Sequence, residues 1–194
     1  VPLAQVVFAA YVPHNYPLAE VEPGMDENAF YDPANFVYPA GTQICEVEID
    51  PETGEAEILT YTAVDDVGKV INHVMAEAQI HGGVMQSAGH VFGEAMIYDA
   101  ESGQMLTGSF MDYGMPHAHT LPSFKCEIVE VLSPTNPLGV KAGGEGGTTP
   151  ALAVIISAVA DALRDLGIHD LAMPATPYAI WQAIQNAKSK NKAA

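Results

Sequence analysis

Basic side chains are scarce in this sequence. It has seven lysine and arginine residues against 24 aspartate and glutamate residues, and a formal net charge of −17 at pH 7. Lys188, Lys190 and Lys192 lie close to the end, so residues 1–187 carry four basic side chains with all 24 acidic ones. An acidic surface of this kind repels phosphate backbones, which argues against nucleic acid as a partner.

Cysteines and long apolar runs are scarce as well. Cys45 and Cys126 lie far apart and form no CxxC pair, which favours reduced core residues over a disulfide or a zinc site. The longest strongly apolar run, residues 151–160, is too short to span a bilayer. No signal-like segment opens the sequence, so we expect a cytoplasmic protein without a membrane span. Because the chain begins at Val1, we expect it to be processed or to be cut from a longer polypeptide.

Common catalytic signatures are also missing. The sequence has no GxSxG nucleophile elbow, no phosphate-binding P-loop and no dinucleotide-binding fingerprint. Its composition, 48% hydrophobic and 16% charged, nevertheless predicts a packed core rather than disorder. At 194 residues, the chain fits one domain or one piece of a larger assembly.

Hydrophobic patterning predicts an α+β fold in which β-hairpins pack against helices. Residues 44–50 and 56–64 alternate between apolar and polar side chains on either side of the turn at 51–54, which is typical of a hairpin. Residues 65–68 have turn chemistry. Further strands are predicted near 96–98 and over 124–132, and helices over 73–94, 148–166 and 176–186.

The first 41 residues differ from the rest in composition. They begin with a strand-like run, Val6-Val7-Phe8, and continue with prolines that disfavour a long helix, at positions 13, 17, 23, 33 and 39. We therefore interpret residues 1–41 as an extended arm that contacts a partner. Residues 42–187 then form the domain, and residues 188–194 form a basic tail.

A glycine-rich loop carries the most informative carboxylate. Glu145 lies between Gly143-Gly144 and Gly146-Gly147, directly before a predicted helix. Glycines allow close backbone approach, so this loop could aim the carboxylate at an enclosed reactive centre. Lys141 precedes it in a chain with few cations. The alternative is a glycine-rich turn in which Glu145 favours the N-terminus of the following helix.

Two other segments are candidates for binding. Gln79-Ile80-His81-Gly82-Gly83 lies in a helix rich in small residues, where a cofactor could approach the backbone; tight helix packing is the alternative. His117 and His119 could supply half of a metal site, but no acidic or cysteine ligand stands at a recognised spacing.

Short segments in a specific order run through most of residues 6–167. They are FYDP (30–33), CEVEID (45–50), TG (53–54), AVDD (63–66), VIN (70–72), QIHGG (79–83), LTGSFMDY (106–113) and NPLGVK (136–141), which leads to Gly144-Glu145. Together they resemble the C-terminal part of the molybdenum-binding subunit in the xanthine oxidase family of molybdenum hydroxylases. The strongest resemblance is to large subunits of the aerobic carbon monoxide dehydrogenase type.

This resemblance implies site residues and a cofactor. Glu145 matches the catalytic base beside the molybdenum, Gln79 matches a glutamine that contacts the pyranopterin, and Lys141 matches the lysine before the catalytic loop. The remaining implied cofactor-binding residues are Gly82, Gly83, Gly143 and Gly144. The implied cofactor is molybdenum-molybdopterin in its cytosine dinucleotide form, and the implied chemistry is hydroxylation with water as the oxygen source.

The resemblance also implies partners and leaves the substrate open. The expected partners are a chain with the N-terminal molybdopterin-binding portion, an iron–sulfur subunit and a flavin subunit that binds FAD. Gly146 stands where the family usually has alanine, which loosens the loop without removing a functional group. Aldehydes, N-heterocycles and carbon monoxide all remain open as substrates. The alternative functions are a structural or assembly module of the same fold and a small metal-binding domain that uses His117 and His119.

Overall fold

The computed structural model describes residues 1–12, 17 and 19–193, with side chains described through residue 190. The chain divides into two compact units, residues 1–34 and residues 35–194. The predicted α+β class is confirmed, because the second unit combines helices with a mixed three-stranded sheet.

The first unit contains a helix where the sequence predicts a strand. Helix α1 spans Leu3–Tyr11, so the strand-like interpretation of residues 6–8 is wrong. Alanines with high helix propensity surround the two valines, and Pro2 directly precedes the helix. None of the residues of α1 is buried. Pro13, one of the prolines expected to interrupt a helix, lies outside the described residues.

The sheet of the second unit is built on the predicted hairpin. Strand β1 spans Ala40–Ile49 and pairs antiparallel with β2, Ala56–Asp66, which confirms the hairpin. Strand β3, Lys125–Ile128, pairs parallel with the far end of β2, and the order is β1-β2-β3. Asp65 and Asp66 belong to β2 and not to a closing turn as predicted, because their backbone continues the strand pairing.

Three helices complete the second unit. Helix α2 spans His73–Phe92, helix α3 spans Thr148–Ala162, and helix α4 spans Pro177–Ala193. Asn72 caps α2 by accepting a hydrogen bond from the backbone N–H of Met75 at 3.1 Å. The helix predicted over 148–166 is shorter in the structure, where α3 ends at Ala162 and a separate 3-10 turn follows at Arg164–Leu166. The described part of the predicted basic tail continues α4.

The core lies between the sheet and the helices. Helix α3 packs against both α2 and β1, so it joins the two layers. The fully buried large side chains are Tyr61, Ile80, Ile155, Ile180, Ile184, Val84, Val91 and Val159. Among the described residues, no helix combines the length and the hydropathy needed to cross a bilayer.

Candidate functional site

The glycine-rich segment lies between β3 and α3, and we call residues 139–147 the Glu145 loop. Its first part runs beside the end of β2. The N–H of Lys141 donates to the carbonyl of Val67 at 2.9 Å, and the N–H of Lys69 donates to the carbonyl of Gly139 at 2.9 Å. Gly139 has φ +71°, a left-handed backbone conformation that favours glycine. These bonds fix the entry of the loop.

An ion pair stabilises this entry. The ammonium group of Lys141 pairs with Asp66, and only 11% and 13% of the two side chains is exposed. Burial alone would raise the pKa of the Asp66 carboxyl. Hydrogen bonds from Lys141 and from the backbone N–H groups of Gly68 and Val131 outweigh this and lower the pKa below its ordinary value. Asp66 therefore holds its negative charge at neutral pH.

Two glutamine amides contact the loop on either side of Glu145. Nε2 of Gln79, on α2, donates to the carbonyl of Gly144 at 2.8 Å. Nε2 of Gln43, on β1, donates to the carbonyl of Gly146 at 3.0 Å. The carbonyls immediately before and after the candidate base thus accept hydrogen bonds from two different elements of the fold.

The glycines of the Glu145 loop and of α2 are of two kinds: some pack against the backbone of another element, and others have open space beside them. A Cβ on Gly83 would lie 2.6 Å from the backbone nitrogen of Thr148, and one on Gly147 would lie 2.9 Å from Cα of Ile80. Real Cβ contacts are essentially never this short, so these two glycines permit α2 to approach the start of α3. A Cβ on Gly82 or on Gly144 would meet no atom of the described residues within 4 Å.

Glu145 itself is exposed at the mouth of a cavity. The cavity has a volume of about 460 Å³, and its lining includes Glu145, Gly144, Asp65 and Asp66. The carbonyl of Glu145 accepts a hydrogen bond from the N–H of Thr149 at 3.0 Å, so the residue lies just before the first turn of α3. At this position, Glu145 could act as a catalytic base, or its carboxylate could simply stabilise the N-terminus of α3.

A buried carboxyl lies beneath the same loop. Asp65 is 4% exposed, and its Oδ2 has no hydrogen-bond partner among the described residues. Burial raises the pKa of the Asp65 carboxyl, and the side chain of Gln43 opposes part of that change. Oδ1 of Asp65 lies 3.7 Å from the position of a Cβ on Gly146. The loop therefore lies next to a buried carboxyl whose pKa is raised.

The other candidates from the sequence do not join this cluster. The rings of His117 and His119 stack with centroids 5.6 Å apart. Within the part of the chain that the structure describes, no group of three or more histidine, cysteine or acidic side chains could hold a metal ion. Cys45 and Cys126 are both free, and burial raises the pKa of the Cys45 thiol to about 11.

Comparison with known proteins identifies the family. Residues 1–122 match the molybdopterin cofactor-binding domain family. The chain belongs to this family. Its resemblance to the xanthine oxidase group is thereby confirmed, while the matched residues include Gln79 and end before the Glu145 loop.

Relatives of this molybdopterin cofactor-binding domain are much longer proteins. The carbon monoxide dehydrogenase large chain of Hydrogenophaga pseudoflava is 35% identical over 183 residues, which is 94% of this chain and 22% of that relative. The nicotine 6-hydroxylase large subunit of Paenarthrobacter nicotinovorans is 34% identical over 183 residues, again 94% of this chain and 22% of the relative. The chain thus spans about a fifth of the length of these curated relatives.

Solved structures give the same result. The crystal structure of Cu,Mo-CO dehydrogenase matches with a TM-score of 0.83 at 32% identity, covering 95% of this chain and 23% of the other. Quinoline 2-oxidoreductase from Pseudomonas putida 86 matches with a TM-score of 0.77 at 37% identity, with coverages of 95% and 23%. Both identities are high enough for the likeness to extend beyond the shared fold.

The residues of this molybdopterin cofactor-binding domain fit a ligand beside the Glu145 loop. Gly82 lies one helical turn after Gln79 on the same face of α2, and neither Gly82 nor Gly144 has a side chain to fill the space beside it. The Glu145 carboxylate is exposed there. A flat, polar cofactor could therefore reach the backbone at these two glycines.

The structure separates the predicted site residues into two groups. Gln79, Gly144 and Glu145 come together at the loop, and Gly82 is open on the same side of α2. By contrast, Gly83 packs against α3, Gly143 lies against Val67, and the Lys141 charge pairs with Asp66. Cofactor contacts by any of these residues remain predictions.

Sequence reasoning missed two of the residues that hold the loop. Asp66 was interpreted as part of a turn, whereas in the structure its carboxylate pairs with Lys141. Gln43 lies one residue before the predicted strand, and its two-residue spacing from Cys45, Val47 and Ile49 places it on their face. A polar side chain on an otherwise apolar strand face is the signal that could have identified it.

Proposed function

We propose that this chain is the C-terminal molybdopterin-binding part of a molybdenum hydroxylase and that Glu145 is its general base. The supporting observation is an exposed carboxylate on a glycine loop whose flanking carbonyls both accept bonds from glutamine amides. A general base acts only within hydrogen-bond reach of its proton, so its position must be fixed. Four neighbouring glycines cannot fix it alone, and the two amides compensate for their freedom.

The proposed reaction uses water as the source of oxygen. For a C–H substrate, R–H and water give R–OH, two protons and two electrons. The molybdenum cofactor, when bound, supplies the activated oxygen and accepts the two electrons. The Glu145 carboxylate takes one proton from the attacking oxygen as the new C–O bond forms, a contribution of about 10²–10⁴ in rate for a positioned base.

The rest of the chain holds the cofactor and the loop. We propose that Gln79, Gly82 and Gly144 form the face that contacts the cofactor, since Gln79 borders the open glycine positions. Gly83, Gly143 and Lys141 act on the same cofactor mainly by shaping the loop, through their contacts with α3, Val67 and Asp66. We further propose the cytosine dinucleotide form of the cofactor.

The proposed partners follow from the length and names of the relatives. A chain or chain segment with the N-terminal molybdopterin-binding portion completes the site, and an iron–sulfur subunit and an FAD subunit take the electrons. Relatives named as large chains and complex subunits support this proposal. The names of the relatives mention carbon monoxide, nicotine and aldehyde, so the substrate is proposed only as a small carbon compound of these classes. The proposed location is the cytoplasm.

The test is Glu145→Gln in the complete native complex, with Glu57→Gln on the exposed face of β2 as a matched control. Turnover should fall by at least about a hundredfold in the first variant, because the amide cannot accept the proton. Molybdenum and pterin content should stay near wild type in both variants, since Glu145 is not needed to fold the loop. Glu57→Gln should retain its turnover.

Two results would contradict the proposal. Turnover of Glu145→Gln within a few fold of wild type removes the base assignment. Absence of molybdenum and pterin from the purified native complex favours the alternative of an assembly module without chemistry.

A further inference from the structure

We infer that Gln43 is a positioning residue for Glu145, held in place by a hydrogen bond from the hydroxyl of Tyr61. The inference rests on the proposed function of Glu145. It adds to the site a pair of side chains from the sheet, on the side opposite Gln79. Neither side chain belongs to a recognised motif in the sequence, and both are buried.

The first step concerns the orientation of the Gln43 amide. The hydroxyl of Tyr61 donates to Oε1 of Gln43, and Nε2 of the same amide donates to the carbonyl of Gly146 at 3.0 Å. If the amide were reversed, its oxygen would face the Gly146 carbonyl, and its nitrogen would face the Tyr61 hydroxyl. The Gly146 carbonyl, which can only accept, therefore selects the observed orientation, and the hydrogen bond from Tyr61 holds the amide in it.

The second step concerns burial. Gln43 is 9% exposed and Tyr61 is fully buried. Burial raises the pKa of the Tyr61 hydroxyl, so it keeps its proton and remains a donor across the physiological range. The Gln43–Gly146 bond is partly buried, so water replaces a lost donor there less easily than at an exposed position. The bond to Gly146 therefore depends on Gln43, whereas water can reach the exposed Gln79 on the other side of the loop.

The third step connects this bond to the base. Gly146 follows Glu145 directly, and its carbonyl belongs to the peptide that leads into Gly147, where the backbone packs against Ile80. On the α3 side, two backbone carbonyls are held: that of Glu145 accepts from the N–H of Thr149, and that of Gly146 accepts from Gln43, which supplies the side-chain contact. Loss of the bond lets the Glu145 backbone shift while both ends of the loop remain attached. A displacement of about 1 Å at a reacting group can cost about a hundredfold in rate.

The experiment uses the complete holoenzyme and four variants. Gln43→Leu keeps the volume but removes the donor, and Tyr61→Phe removes only the hydroxyl that donates to the amide oxygen. Glu46→Gln is the control, since Glu46 is exposed on the same strand. We expect Gln43→Leu to lower kcat at least about tenfold, with KM within about threefold and with unchanged molybdenum content. Tyr61→Phe should have a smaller effect in the same direction, and Glu46→Gln should have none.

The fourth variant, Gln43→Glu, gives a pH readout. A protonated glutamic acid donates to the Gly146 carbonyl, but a carboxylate cannot, and burial favours the protonated form. The ratio of its kcat to that of wild type should therefore rise as the pH falls. Dividing by wild type removes the titrations that both enzymes share, including that of Glu145, and Asp65 is the other carboxyl that faces position 43.

Double variants separate positioning from other effects. In a Glu145→Gln background, Gln43→Leu should cause no further loss, because there is no base left to position. The inference is overturned if Gln43→Leu keeps kcat within about threefold of wild type, or if its effect persists in full without Glu145. If Gln43→Leu fails to load molybdenum, the Gln43→Glu ratio decides: a rise supports the inference and a flat ratio overturns it. Full activity of Glu145→Gln alone would instead contradict the proposed function.

Discussion

The two ends of the Glu145 loop are fixed by different kinds of interaction. At the first end, a charged pair between Lys141 and Asp66 joins the loop to β2. At the second end, the Gln43 amide accepts from the Tyr61 hydroxyl and donates to the Gly146 carbonyl, and Gly147 packs on α2. The Lys141–Asp66 ion pair thus lies at the end of the loop away from Glu145, while the Gln43–Gly146 hydrogen bond next to Glu145 joins uncharged groups. We call the second end the neutral end, because its hydrogen bonds join uncharged groups.

Two adjacent aspartates show how a single step along a strand produces this difference. Successive side chains of a strand point to opposite faces. Asp66 meets a lysine and two backbone N–H groups, so its pKa is lowered, whereas Asp65 is buried beneath the loop and its pKa is raised. Each end of the loop thus has one aspartate, with opposite preferences for its proton.

The largest effect is expected from packing at the neutral end. Gly147→Ala would place a Cβ 2.9 Å from Cα of Ile80, where only backbone movement can relieve the overlap. We expect a loss of about 1–3 kcal/mol in stability or more, and lower hydrogen-exchange protection at the start of α3. Gly146→Ala is the matched control, since its Cβ would make only ordinary contacts, the nearest at 3.7 Å. Equal protection in the two variants would contradict the packing described for Gly147.

A smaller effect is expected at the charged end. Lys141→Met removes the cation but keeps most of the apolar stem, so the half-buried Asp66 loses one of its partners. The expected cost is about 1–3 kcal/mol, measured by thermal unfolding of the complex. Lys69→Met is the control, because the Lys69–Glu130 pair is 51% and 36% exposed, and such pairs contribute about 0–1 kcal/mol. Equal losses of stability in the two variants would show that the burial of the Lys141–Asp66 pair does not make it contribute more than the exposed Lys69–Glu130 pair.

The smallest effect is expected in the pH dependence of unfolding. The folded pKa of Asp66 is below its ordinary value of 3.8, so its contribution is present at neutral pH and is lost as the pH falls through that folded pKa. The folded pKa of Asp65 is above 3.8, so its contribution is full below this value and is lost as the pH rises through the raised pKa.

Single variants test these opposite slopes. Asp66→Asn should flatten the loss of stability in acid, and Asp65→Asn should flatten the loss at higher pH, each by at most one proton in the slope. The measurement is the unfolding midpoint of the complex from pH 3 to pH 8, a range of about five units around the carboxyl values. If both variants change the slope of stability against pH in the same direction, the two aspartates do not have opposite pKa shifts.

Local sequence patterns predicted the elements that depend on near neighbours. The β1–β2 hairpin follows from alternation on both sides of a short turn, and α2 begins at the predicted residue, where Asn72 supplies a cap. Val6 and Val7 misled the prediction, because β-branched residues favour strands although their alanine neighbours favour a helix. The confirmed elements share strong patterns over many residues, while α1 depends on a short and mixed one.

The loop contacts could not be predicted in the same way. Lys141 and Glu145 drew attention through their scarcity and their glycine neighbours, and the resemblance added Gln79. Nothing local indicates that Gln43 reaches Gly146, because the contact exists only after β1 packs against α3. The parallel pairing of β3 with β2 likewise depends on the path of the intervening chain.

The sequence separation of these contacts has a consequence for the order of folding. The Gln43–Gly146 bond joins positions 103 residues apart, and the Gln79–Gly144 bond joins positions 65 apart. Closing such long loops has a large entropic cost, which is recovered only when both partners are already in place. The hairpin can form early from local contacts, whereas the carboxylate reaches its final position only after the sheet, α2 and α3 have come together. A chain that is still folding therefore carries all of these residues without yet having the site.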